Sequence, residues 1–322
     1  MNRLIAAAAA GILAAGVAAA EDYPTKSISI VVPFTAGGPT DTVARLVAEA
    51  MSRDLGQQVQ VENVGGAGGT VGAARVAKAA PDGYTLLLHH IGMATSATLY
   101  RKLPYDTLNS FDYIGIVTDV PMTLVAKKDL PPKTYAELVD YVKANKDKIT
   151  YANAGIGAAS HLCGMLFMSA IDTKVTTVPY HGTGPAMTDL LGGQVDFMCD
   201  QTTNTTNQIK SGAIKAYVVT SAKRLAPLPD VPTAAEVGLK TFEFGIWHGL
   251  YAPKGTPAPV IERLTKSLQV ALHDKNVGER FASLGTAPSP DADVTPAALK
   301  AKLESEIARW KPLIQAAGQF AD

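Results

Sequence analysis

The feature that most constrains this chain is a punctuated alternation. Short β-branched runs end in small-residue turns, and each turn opens an amphipathic stretch. Ser27-Ile-Ser-Ile-Val-Val-Pro-Phe34 meets Thr35-Ala-Gly-Gly-Pro39, and Asp41 to Leu55 follows with Val43, Leu46, Val47, Ala50 and Met51 on one helical face. Gln58 to Glu62 reads as a second strand, Gly65-Gly-Ala-Gly-Gly69 as a second turn, and Thr70 to Ala80 as a helix stopped by Pro81-Asp82-Gly83. Tyr84 to His89 is a third strand. A β-α-β-α-β series with short loops requires a mostly parallel sheet covered on both faces, so the fold class is α/β.

Near residue 120 the pattern changes. Phe111 to Thr118 and Pro121 to Ala126 read as two apolar strands back to back, and Lys127-Lys-Asp-Leu-Pro-Pro-Lys133 opens a second series. It alternates helices over 134–144, 160–171, 185–191 and 203–211 with strands over 149–152, 175–180, 195–199 and 214–220. Phe242 to Tyr251 is strand-rich, and helices follow over 257–273, 277–284 and 295–319. A helical tail cannot bury its faces alone and must return to the first unit. The expected division is a first domain of residues 21–124 plus 247–322 and a second of 125–246. Between the carboxyl ends of their sheets lies a ligand cleft.

Residues 1–20 stand apart from this scheme. Arg3, an apolar run from Leu4 to Val17 and Ala18-Ala19-Ala20 read as a secretory signal cleaved after Ala20, which implies a periplasmic protein with no stable membrane insertion after cleavage. The whole chain balances 29 Lys+Arg against 29 Asp+Glu, and loss of Arg3 leaves acids ahead by one. That balance lacks the basic footprint of a nucleic-acid binder. Cys163 and Cys199 can pair in an oxidising compartment, closing about 36 residues, or remain two buried thiols; we prefer the thiols. Neither has a partner at zinc-site spacing, so no metal is expected.

Catalytic and nucleotide readings are weak. No register of residues 65–72 gives the dinucleotide glycine fingerprint, and no Lys follows as a phosphate loop requires. Ser160 and His161 are adjacent, and adjacent residues on a helix do not face each other. His89 and His90 end a strand, so one reaches the cleft while the other packs. The better signal is three small-residue turns feeding helix starts: Phe34 to Asp41, Asn153 to Ser160, and Tyr180 to Pro185. Helix starts carry unpaired N–H groups and a positive dipole end, which suits a carboxylate. No Arg or Lys lies in these turns, so backbone amides, hydroxyls and water would hold the anion.

The runs V-V-P-F-T-A-G-G-P-T-D-T-V-A-R (31–45), E-N-V-G-G-A-G-G-T-V-G (62–72), P-D-G-Y-T-L-L (81–87), Y-A-N-A-G-I-G (151–157), V-P-Y-H-G-T-G-P-A (178–186) and D-L-L-G-G-Q-V-D (189–196) resemble the Bug family of extracytoplasmic solute receptors. These are the binding proteins of tripartite tricarboxylate transporters. The resemblance covers essentially the whole mature chain. It implies a periplasmic binding protein of type II-like architecture, a Venus flytrap of two α/β domains that captures a small carboxylate and delivers it to cognate membrane transporter subunits. It implies no cofactor and no catalysis, and we expect a monomer. Carried over, the contacts are Phe34, Thr35, Gly37, Gly38 and Asp41, then Asn153, Gly155, Gly157, Ala158 and Ser160, then Tyr180 and Thr183. Asp196 matches an acidic family position whose plain alternative is a satisfied strand residue.

Ligand choice falls to the variable stretches, which contribute His89, His90, Asp200, Trp247 and His248. Phe34 with Trp247 and His248 suggests an aromatic dicarboxylate, and the chain resembles the terephthalate-binding members. The alternatives are an aliphatic di- or tricarboxylate, a sensory role with the same ligand, and a secreted hydrolase using Ser160 and His161.

Overall fold

The protein is described from a computed structural model over residues 23–239, 242–317 and 321. The proposed signal, residues 1–20, lies outside the described residues. The first unit begins with β1 (Ile28–Val32), α1 (Pro39–Leu55), β2 (Val59–Asn63), α2 (Thr70–Ala77), β3 (Thr85–His90) and α3 (Gly92–Leu99). A long strand β4 (Phe111–Lys127) leads to α4 (Tyr135–Ala144), β5 (Thr150–Asn153), α5 (Ala159–Ala170), β6 (Thr176–Pro179), α6 (Thr183–Leu191), β7 (Phe197–Gln201), α7 (Thr202–Lys210) and β8 (Ile214–Val219). The chain then returns through β9 (Gly245–Pro253) to α8 (Ala258–Leu272), α9 (Lys275–Ser283) and α10 (Pro296–Ala317).

The strands run in the order β2-β1-β3-β9-β4-β7-β5-β6, with β8 also on β4. β1 pairs parallel with β2 and β3, and β5 parallel with β6 and β7, whereas β4 and β9 make antiparallel pairs. The sequence reading split β4 in two; the structure makes it one strand serving both units. Its residues up to Pro121 pair with β9, and from Met122 onward it pairs with β7 and β8. Pro121 lacks an N–H, so the pairing changes where the ladder has already lost a donor.

Local chemistry accounts for the elements. Ile30, Val31 and Val32 of β1 are all fully buried, as expected of a strand covered on both faces. α1 opens with Pro39 at its start and closes on Gly56 in the left-handed region, φ 65°. Val43, Val47 and Met51 on its inner face are fully buried, each contributing roughly 1.5–3 kcal/mol. α4 carries a capping box: the Thr134 hydroxyl accepts from the Glu137 N–H at 3.2 Å, and the Glu137 carboxylate accepts from the Lys133 N–H at 2.7 Å. α10 lies on α3 and β4 of the first unit and buries Leu299, Leu303, Trp310 and Ile314.

Two expectations change. The sequence reading assigns no element to α3; Gly92, Met93, Ala94, Thr95, Ser96 and Leu99 are buried, so the segment shows little amphipathic period to read. Cys163 on α5 and Cys199 on β7 form a disulfide with Cα atoms 6.0 Å apart, where we had preferred two thiols. Closing a 36-residue span stabilises by ~3–4 kcal/mol in the chain-entropy account.

The units meet loop to loop. The Thr35 N–H donates to the His181 carbonyl at 3.2 Å, the Thr95 hydroxyl to the Gly157 carbonyl at 3.0 Å, and the Tyr100 hydroxyl to the Ile156 carbonyl at 2.9 Å. Glycine is required at these contacts. A Cβ on Gly68 would lie 2.0 Å from the Ile156 carbonyl oxygen, and one on Gly182 would lie 2.2 Å from the Thr35 hydroxyl.

Candidate functional site

Where the units meet, Phe34, Pro39, Thr40 and His90 of the first face Ala154, Ala158, Ala159, Ser160, Thr183, Asp200 and Gln201 of the second. They close on one another to leave about 10 Å³ of free volume, roughly a single water position. Four helices begin at this cavity: α1 at Pro39, α5 at Ala159, α6 at Thr183 and α7 at Thr202. Their N-cap residues, Gly38, Ala158, Gly182 and Gln201, supply no side-chain cap. The first-turn N–H groups of four helices are thus left to whatever occupies the cavity. None of the lining residues is Lys or Arg.

The first unit supplies a wall of neutral rings. Phe34 stacks on His90 with centroids 4.6 Å apart, and His89 sits edge-on to Phe34 at 5.7 Å. His90 is 3% exposed and its Nδ1 accepts from the Gly92 N–H at 2.9 Å, which leaves Nε2–H as the ring's donor. Burial drives all three cleft imidazoles below their usual range, to about 3 for His89 and His248, with the charge of neighbouring histidines adding to the effect on His89 and His90. They act as hydrogen-bonding groups rather than cations. His248 stands behind Thr40: its Nδ1–H donates to the Ile246 carbonyl at 3.1 Å, so its Nε2 accepts from the Thr40 hydroxyl at 3.3 Å.

The second unit supplies polar side chains on short leashes. The Ser160 hydroxyl oxygen accepts from the Ala154 N–H at 2.9 Å and the Ser160 carbonyl accepts from the Tyr151 hydroxyl at 2.5 Å. Asp200 is 1% exposed and accepts from the Asn204 amide at 2.6 Å. Burial pushes its carboxyl up to about 6, against the donors from Asn204, the Gln201 backbone and Thr183. Gln201 lines the cavity with its Oε1 buried and unpartnered.

Of the residues singled out from sequence, Phe34, His90, Ala158, Ser160, Thr183 and Asp200 line this cavity. Others shape it from behind. The Asp41 carboxylate accepts from the Gly37 N–H at 3.0 Å, Arg45 at 2.9 Å and Asn63 at 3.0 Å. Burial opposes its ionisation, but these three hold it below the usual carboxylate range. The Asn153 side chain accepts from the Gly155 N–H at 2.8 Å, and Gly155 and Gly157 take left-handed φ of 96° and 85°. Thr35 and Gly38 lie at the loop contact, with a Gly38 Cβ 3.5 Å from the Gly184 nitrogen. His89 is packed beneath Gly69, whose Cβ would meet it at 3.0 Å.

Two expectations need correction. Trp247 does not reach the cavity: β9 alternates its side chains, so with His248 turned to Thr40, Trp247 faces the opposite groove beside Asp119, Pro288 and Lys302. Tyr180 spends its hydroxyl on Asp189 at 2.6 Å. Asp196 takes its plain alternative, a satisfied residue just before β7, held by Lys127 at 2.6 Å and by Thr150. Sequence reasoning placed Pro39, Thr40, Ala154 and Ala159 in its turns without naming them as contacts, and it set Gln201 in the variable stretch after Asp200. The fourth helix start escaped because β7 runs into α7 with no glycine turn to mark it.

The sequence matches the tripartite tricarboxylate transporter family receptor (TctC) over residues 43–319. A UPF0065 protein of the TAR-I ttuE-ttuC' intergenic region of Agrobacterium vitis is 55% identical over 99% of this chain and 92% of its own. The solved periplasmic binding protein BugD shares 54% identity with a TM-score of 0.91, covering 93% of this chain and 100% of its own. MatC from Rhodopseudomonas palustris, solved with bound malate, shares 41% with a TM-score of 0.87 over 91% of this chain and 100% of its own. An R. palustris protein solved with adipate shares 32% with a TM-score of 0.86 over 92% and 98%. The architecture is therefore the two-domain α/β fold of periplasmic binding proteins.

Proposed function

We propose that this chain, which belongs to the tripartite tricarboxylate transporter receptor family, captures a small aliphatic dicarboxylate in the periplasm and presents it to the membrane subunits of its transporter. The observation that carries the reading is the convergence of four uncapped helix starts on one enclosed cavity without a cation. Each start offers backbone N–H groups to an anion, and Ser160, Thr183, Gln201 and the His90 Nε2–H supply directional contacts. The proposed ligand contacts are therefore Phe34, Pro39, Thr40, His90, Ala158, Ser160, Thr183, Asp200 and Gln201. Thr35, Gly38, Asn153, Gly155 and Gly157 shape the closure. Family members are solute receptors, not enzymes. In keeping with that, the Ser160 hydroxyl is engaged with a backbone N–H, and the His161 Nδ1 faces the Gly157 N–H at 3.4 Å.

The aromatic dicarboxylate expected from sequence loses its main support, because Trp247 faces away and His248 is reached only through Thr40. The malate and adipate bound by two relatives are aliphatic, which favours that class here. We read the lobes as dividing near Pro121 and Gly245, and the receptor as working as a monomer. Calorimetric titration with malate, succinate, adipate, citrate, phthalate and terephthalate tests the ligand. Binding of an aliphatic dicarboxylate with little response to terephthalate is expected. Tight terephthalate binding would restore the aromatic reading, and no binding of any carboxylate would sink both.

A further inference from the structure

The cavity that gathers helix starts for an anion also contains an acid. Asp200 is 1% exposed and belongs to the cavity wall, and no Lys or Arg is among the lining residues. On the carboxylate reading above, a dianion seated between the units would meet the buried Asp200 carboxylate in the wall of the same pocket. Two carboxylates sharing one site do not both stay ionised; one has its proton affinity strongly raised.

We propose that Asp200 takes up one proton from solvent as the ligand enters, so that the receptor holds a dicarboxylate dianion through a carboxyl-to-carboxylate hydrogen bond. The proton balance is simple: ionised Asp200, one proton and the dianion form a complex whose Asp200 O–H donates to a ligand oxygen. The groups facing Asp200 leave few other seats for that proton. From α7 comes Asn204, from the end of β7 Gln201, and from α6 Thr183, with Asp189 turned to Tyr180. α5 brings Ser160, with the His161 Nδ1 turned to the Gly157 N–H, α1 brings Thr40 with Asp41 tied to Arg45 and Asn63, and β5 brings Tyr151, whose phenol is pushed up by burial. Across the cavity stand His90 and, behind it, His89 and His248. Those imidazoles start far below neutrality, whereas the Asp200 carboxyl starts at about 6, so a nearby anion carries Asp200 past neutral pH first. Asn204 and Thr183 fix the carboxyl, and the unpartnered Gln201 Oε1 beside it marks the same wall as unfinished without a donor.

Calorimetric titration of the full receptor with malate and with adipate, in two buffers of different ionisation heat, counts protons directly. Uptake approaching one proton per ligand at pH 7.5 is expected, with affinity falling by up to about tenfold per pH unit between about pH 6.5 and 8.5. Asp200→Asn should bind at pH 8 at least as tightly as the parent and take up no proton. Ligand binding without proton uptake by the unaltered protein overturns the proposal and leaves the carboxylate reading standing. Uptake that persists in Asp200→Asn also overturns it, by placing the proton on the ligand or an imidazole. If no carboxylate binds, both fall. Should the variant fail to fold, the side-chain carboxyl carbon signal of Asp200 in the unaltered protein decides: protonation on adding malate supports the proposal, and continued ionisation overturns it.

Discussion

None of the four helix starts at the cleft carries a side-chain cap, whereas three of the six described elsewhere do. α1, α5, α6 and α7 begin on Gly38, Ala158, Gly182 and Gln201 without a side-chain cap, and all four open on the cavity. α4, α9 and α10 start elsewhere on Thr134, Asp274 and Thr295, whose oxygens accept first-turn N–H groups at 3.2, 2.9 and 3.2 Å. α2, α3 and α8, opening after Gly69, Ile91 and Pro257, also lack such a cap, although none of these residues lines the cavity. A cap is worth ~1 kcal/mol. Forgoing it at four starts leaves stability unclaimed in the empty protein and keeps the donors for a guest. The difference teaches that at these four starts, on the carboxylate reading, a bound anion would do the work of a capping residue.

The tether that holds one uncapped start gives the largest expected effect. Replacing Cys163 and Cys199 by Ser frees α5 from β7 and should lower unfolding stability by ~3–4 kcal/mol in denaturant titration; an unchanged midpoint would show that packing alone seats α5. Next, Ala158→Asp places an internal carboxylate at the start of α5, where the N-cap already has extended geometry with φ −67° and ψ 157°. Dicarboxylate affinity should fall at least ~100-fold, about 2.7 kcal/mol, and retained affinity would break the comparison.

The cleft's buried rings and acid predict a pH response. His89, His90 and His248 titrate below their ordinary value when folded, so unfolding takes up their protons and stability falls as pH drops below about 6.5. Asp200 is raised to about 6 and runs the other way, gaining stability as pH falls from about 6 to about 4. Three imidazoles against one carboxyl leave a net fall of stability with falling pH in that window, readable from thermal unfolding of the ligand-free protein. Stability flat from pH 6.5 to 4.5 would contradict the neutral-ring wall. The smallest effect is the control: Thr134→Ala should cost ~1 kcal/mol of stability and leave ligand affinity unchanged, since α4 starts away from the cavity.

Much of this was legible in the residues because alternation and glycine turns are local signals. β1, α1 and the turn at Phe34–Pro39 follow from spacing alone, as do two of the other helix starts. What escaped needed tertiary knowledge. Segment 92–99 is buried too widely to show a helical face. The span 111–127 contains Thr118, Asp119 and Pro121, which read as a break, yet pairing with β9 on one part and β7 on the other keeps it extended. Trp247 was assigned to the cleft by its chemistry, while strand alternation next to His248 places it outside. The disulfide depended on α5 lying across β7, a distance no spacing reveals.

The contact glycines carry one more consequence. Gly68 and Gly182 admit no Cβ because the opposing loop is already within 2.0 and 2.2 Å of where it would be. Whether the halves meet is therefore decided by residues that touch no cargo, while what they enclose is decided by wall positions such as Asp200 and Gln201. Recognition can diversify without disturbing the latch. A new diet needs only new wall residues, whereas any side chain at the latch glycines would cost the receptor its closure whatever it was meant to carry.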